Sequence, residues 1–155
     1  MEKVTNAIQS DAYSKEPSYH DAIARFLKTN QQEYSVTTFK SRSTFIYVKA
    51  ASGEGVRLQI HIKPWLDEFT FHAYAQKSIA PAYRADLLHS FAVVNAGERP
   101  IKVEINPETG CIRCGYAMLL CKEFVDAARL AEMERRCLVM MDTLLPTVLS
   151  LSESD

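Results

Sequence analysis

From Tyr34 to Gln76 apolar and polar residues tend to alternate along the chain, most regularly between Val56 and Lys63. There Val56, Leu58, Ile60 and Ile62 alternate with Arg57, Gln59, His61 and Lys63, the period of a strand with one buried and one wet face. Phe69, Phe71, Ala73 and Ala75 repeat the pattern against Glu68, Thr70, His72 and Tyr74. Pairing the two segments across Pro64 to Asp67 as a four-residue loop sets Ile62 opposite Phe69, Ile60 opposite Phe71 and Leu58 opposite Ala73, with Lys63 facing Glu68. Apolar then meets apolar and charge meets opposite charge. Upstream, a turn at Gly53, Glu54 and Gly55 predicts another strand whose Ile46, Val48 and Ala50 join the same buried face. The segment from Tyr34 to Lys40 reads equally as a fourth strand or a loop, because Ser35, Thr37 and Thr38 dilute its pattern.

On either side the period changes to that of a helix. Ser18 and Asp21 resemble a capping pair ahead of Tyr19, Ile23, Phe26 and Leu27, which recur at helical spacing up to Asn30. Pro81 suits a first helical turn, Leu87, Leu88, Phe91 and Val94 supply the expected stripe, and Asn95 to Gly97 end the helix. A second hairpin turning at Pro107 to Gly110 pairs Ile105 with Ile112, Val103 with Cys114 and Ile101 with Tyr116, and sets Glu104 against Arg113. Beyond Cys121, Phe124, Ala128, Ala131, Leu138, Met141, Leu145 and Val148 predict a long helix that Pro146 kinks or ends.

Short hairpins rather than helical crossovers connect these strands, so the expected class is α+β, with helices on one face of an antiparallel sheet. The expected order is helix, meander of three or four strands, helix, β-hairpin and long C-terminal helix. Residues 1–17 read as a polar segment, 18–149 as a single domain and 150–155 as a polar tail. The 155 residues suffice for one core without a metal or disulfide staple.

Charge changes the picture mainly by exclusion. Eighteen basic against nineteen acidic residues leave a net charge of −1, which removes the excess needed for nonspecific nucleic-acid binding. No run of eighteen apolar residues predicts a membrane span. The polar first residues carry no secretory signal, so a cytoplasmic location and reduced Cys111, Cys114, Cys121 and Cys137 are expected.

The sequence LLHSFAVVNAG ends a helix in Asn95, PIKVEINPETGCIRCGYAMLL forms a hairpin, and a long helix follows. This stretch from Leu87 to Leu120 resembles the YbjN-like family of proposed bacterial sensory transduction regulators, and with the preceding meander the resemblance spans roughly Tyr34 to Val148. It implies a fold similar to that of type III secretion chaperones. Relatives in the chaperone branch are small, dimeric and noncatalytic, and hold extended segments of a partner chain.

Candidate chemistry is sparse. Cys111 and Cys114 form a CxxC, but residues three apart on a strand face opposite ways and no second ligand pair accompanies them. No GxGxxG, GxSxG or other catalytic constellation is present, so no catalytic residue, cofactor or metal ligand is expected. Asn95 reads as a residue that satisfies loose backbone groups near a helix end.

The wet face of the meander would present Arg57, His61, His72 and Tyr74, with Trp65 at the adjoining loop, and Arg with aromatics is the composition of binding hot spots. The sequence CLVMMDTLLPTVLSL is apolar nearly all round, which makes Leu138, Met141, Leu145 and Leu149 candidates either for the core or for a homodimer interface. The expected activity is a noncatalytic protein-interaction or chaperone-like regulatory module, homodimeric, with an unidentified partner protein. The alternative is a small-molecule or metal sensor using His61 and His72 or the thiols.

Overall fold

The structure is a computed structural model describing residues 19–40, 42–63, 68–97, 100–119 and 125–152, except for the side chains of residues 118 and 119. In chain order these residues form α1 (Tyr19–Thr29), β1 (Ser35–Phe39), β2 (Arg42–Ala51), β3 (Glu54–Lys63), β4 (Glu68–Ser78), α2 (Pro81–Asn95), β5 (Lys102–Ile105), β6 (Cys111–Leu119) and α3 (Ala127–Leu151). The six strands make one antiparallel sheet in the order β1-β2-β3-β4-β6-β5. No helix among the described residues is long and apolar enough to cross a membrane.

The β3–β4 register is the one the alternation predicts: Ile62 opposite Phe69, Ile60 opposite Phe71, Leu58 opposite Ala73 and Lys63 opposite Glu68. The connecting loop lies outside the described residues. The β5–β6 pairing likewise sets Ile105 against Ile112, Val103 against Cys114 and Glu104 against Arg113.

The β2 register differs. The chain turns at Ser52 and Gly53, both with positive φ (48° and 79°), rather than at Gly53 to Gly55. This two-residue turn places Phe45 opposite Ile60 and Tyr47 opposite Leu58. The shift from the expected pairing is an odd number of residues, so every side chain of the strand changes face. Phe45, Tyr47 and Ala51 are the buried residues, and Ile46, Val48 and Ala50 face outward. The Tyr34 to Lys40 segment does contain a strand, β1, at the sheet edge, with all five of its residues exposed.

The inner face is covered by α3, which lies against β4 and β6, and by α1, which packs on α3. Ile23, Phe26 and Leu27 of α1 and Leu130, Met133, Cys137, Met141, Leu145 and Val148 of α3 are buried, each set at helical spacing. Asp126 caps α3, its carboxylate accepting from the Arg129 amide at 2.8 Å. Pro146 does not end the helix, which continues to Leu151. Ser152 then bridges to Ile79.

Met141 and Leu145 are thus spent on the chain's own core, whereas Leu138 is half-buried and Leu149 is exposed. The stripe expected on α2 also differs, since only Phe91 is buried while Leu88 and Val94 stay exposed. The reason is position: α2 packs at the sheet edge against β5 and covers no broad face.

The Asn95 side chain completes that edge. Its Nδ2 donates to the Val103 carbonyl at 2.6 Å and its Oδ1 accepts from the Val103 amide at 2.9 Å. One side-chain amide thereby stands in for a neighbouring strand and blocks the β5 edge.

Candidate functional site

Three strand pairings bring the outward side chains of β2, β3, β4 and β6 onto one surface. With α1 and α3 on the inner side and α2 at β5, no described helix lies across its β2–β4 part.

Four of the five predicted partner-binding residues stand there in a row. The Arg57 guanidinium lies 4.9 Å from the centroid of the Tyr74 ring, a cation–π contact. The rings of Tyr74 and His72 meet edge to face at 6.1 Å, and His72 and His61 do so at 6.0 Å. Trp65 lies outside the described residues. The Nδ1 of His61 shares a 2.9 Å hydrogen bond with Thr44 Oγ1, which fixes its ring on the sheet.

Both histidines are half-buried among cations. Burial first and Arg113 second lower the pKa of His72 to about 4, and burial with Arg42 lowers that of His61. Both imidazoles are therefore neutral at pH 7. His72 has room because residue 115 is glycine: a Cβ there would meet the Phe71 carbonyl oxygen at 2.2 Å and the His72 ring at 2.5 Å.

The surroundings add an apolar strip and a cleft that local sequence patterns did not reveal, beside two ion pairs that the strand registers predicted. Ile46, Val48 and Ala50 form an apolar strip beside the row, with Val48 50% and Phe39 61% exposed. Arg113 of β6 pairs with Glu104, and Lys63 pairs with Glu68 at 2.7 Å. A cleft of about 560 Å³ opens between α2 and the β5–β6 hairpin, where Leu88 and Phe91 face Tyr74 and Arg113. Arg84 ties the far end of this cleft to the hairpin turn, its guanidinium donating to the carbonyls of Ile79 and Glu108. The interior glycine of β6 is the one local signal that a neighbouring strand's side chain comes close.

The CxxC cysteines diverge. Cys114 is buried on the inner face, its thiol 3.6 Å from the Cys137 carbonyl, while Cys111 lines the outer cleft. Among the described residues no group of three or more His, Cys, Asp or Glu side chains could hold a metal ion. The inner face carries a separate polar cluster, in which buried Glu134 accepts from Tyr47 Oη at 2.7 Å and from Lys49 Nζ at 2.5 Å. Burial and the Glu134 charge push the Tyr47 phenol well above its ordinary pKa.

No protein-family model matches the chain, and no curated protein matches it. Among solved structures, YbjN from E. coli, described as a "putative transcription regulator", is similar over 90% of this chain and 97% of its own, with a TM-score of 0.59 at 11% identity. That likeness covers the α+β arrangement of sheet and helices, and the chain has a YbjN-like fold.

Proposed function

We propose that the chain is a noncatalytic regulatory module that holds an extended, acidic segment of a partner protein across its outer sheet face. The observation that carries this reading is the continuous row of Arg57, Tyr74, His72 and His61 beside the apolar strip of Ile46, Val48 and Ala50. An open face that mixes Arg, aromatic rings and exposed aliphatics has the composition of an interface centre. Arg42 and Arg57 add positive charge there, and the cleft beside α2 offers a place for an apolar anchor. The regulatory description of YbjN is compatible with this role.

A displayed peptide library selected on the full chain tests the proposal. Acidic sequences with one aliphatic or aromatic anchor should be enriched, and Arg57→Glu or Val48→Asp should abolish their binding. Enrichment of basic sequences, or binding that survives both substitutions, refutes it. The proposal includes a homodimer, for which α3 retains exposed Val139 and Leu149. Sedimentation equilibrium should give twice the 17.5 kDa chain mass, and a single monomeric species at high concentration removes that part of the reading.

A further inference from the structure

The edges of the sheet are finished differently. At β5 the Asn95 side chain occupies both the amide and the carbonyl of Val103. On the opposite side, beyond the end of β1, Gln32 Nε2 donates to the outward Val48 carbonyl at 3.2 Å. Among the described residues nothing does the same for β1.

Register shows which of its backbone groups are open. Ala51 pairs with Glu54 across the Ser52–Gly53 turn, and the pair that flanks a turn of this length exchanges both of its hydrogen bonds. Bonded pairs recur at every second residue, so Ala51, Lys49, Tyr47, Phe45 and Ser43 bond to β3 while Arg42, Thr44 and Ile46 bond to β1. Their partners there are Phe39, Thr37 and Ser35. Val36 and Thr38 therefore aim their amides and carbonyls away from the sheet, where no described residue meets them.

This edge also lacks the usual protection against another strand. Ser35 to Phe39 hold no charge, proline or bulge, and all are exposed. Val36 and Phe39, on opposite faces, are 39% and 61% exposed, and Lys40 is turned back over the Phe39 ring at 5.4 Å.

We propose that two copies of this chain join along β1, antiparallel about a twofold axis at Thr37, into one continuous sheet. In that register Val36 of one copy exchanges both bonds with Thr38 of the other, which uses every open group just named. The side chains fit as well. Phe39 lies over the small Ser35 of the second copy, Val36 stands beside Thr38, and Thr37 meets Thr37, with no like charges opposed. An uncharged strand complements itself, whereas the acidic segment of the proposed function is drawn to the arginines of the outer face. Because the axis runs perpendicular to the sheet, the outer faces of both copies lie on the same side, and their apolar strips and arginine rows form one surface. The inference rests on the homodimer reading and names the sheet edge, in place of α3, as its contact.

Sedimentation velocity of the full chain over a concentration series tests this, with far-UV circular dichroism to show that each variant is folded. The wild type should form a reversible dimer. Thr38→Pro removes an amide that points out of the sheet, so β1 keeps its bonds to β2, and self-association should weaken about thirtyfold. Thr37→Lys and Thr37→Glu each oppose like charges at the axis and should be monomeric alone, while their equimolar mixture should restore the dimer. Amide exchange at Val36 and Thr38 should be fast in dilute protein and slow in concentrated protein. A dimer that survives Thr38→Pro and both charged variants overturns the β1 assignment and leaves the homodimer reading standing. Failure of the charged mixture to pair overturns the register about Thr37. A monomer at every concentration overturns both readings, and slow exchange of those two amides in the monomer would show that the chain covers its own edge, which also overturns the assignment.

Discussion

Lowering the pH from about 7 to about 4 forces a proton onto His72 while its ring is half-buried beside the Arg113 guanidinium. In the unfolded chain that imidazole titrates at 6.5, and in the folded protein at about 4. Between these values the unfolded state carries a proton that the folded state refuses, so stability is full above 6.5 and falls as pH drops towards 4. Below about 4 both states are protonated and this contribution changes no further. The whole difference corresponds to about 3 kcal/mol at most, and because the ring is only half-buried, solvent screening reduces it to about 1–2 kcal/mol. His61 acts in the same direction, and native carboxylates add their own acid dependence, so the measurement must be a difference. Urea unfolding of the wild type and His72→Gln, followed by far-UV circular dichroism at intervals across this window, supplies it. The wild type should lose about 1–2 kcal/mol more than the variant between pH 6.5 and pH 4. Parallel pH profiles, or an NMR titration placing His72 near its ordinary value, would refute the reasoning.

Asn95→Ala removes both hydrogen bonds to Val103 and frees the β5 edge, which should cost about 1–3 kcal/mol in denaturant unfolding and promote edge-to-edge association detectable by light scattering. Tyr47→Phe should cost about 1–2 kcal/mol at neutral pH. Because the folded phenol is held above its unfolded value, wild-type stability should fall as pH rises beyond about 10, and the variant should lack that component. Cys114 and Cys137 are fully buried, and the Cys114 thiol together with burial pushes the Cys137 thiol up. Mass-spectrometric mapping after brief native alkylation should therefore find Cys111 modified and those two intact.

Periodicity was enough to define the strands β3 and β4 and their pairing, because a residue's face in a strand is set by parity and both segments alternate without interruption. The same local logic paired β5 with β6 and put Arg57, His61, His72 and Tyr74 on a common surface. It failed at β2, where three candidate turn residues, Gly53 to Gly55, disguised a two-residue turn at Ser52 and Gly53 and reversed the faces of Ile46 and Val48. It could not separate core from surface on α2 or α3 either. An apolar residue records that burial is available, but which of Leu88, Phe91, Met141 and Leu149 obtains it depends on where the sheet lies. The tertiary structure alone decided that β6 rather than β5 lies beside β4, and so carried Arg113 to His72. It likewise set Arg42 and Thr70, two strands apart, along one cleft, and left the Thr70 hydroxyl without a hydrogen-bond partner among the described residues. These are contacts between residues far apart in the chain, set by sheet order and register, and no local spacing encodes them.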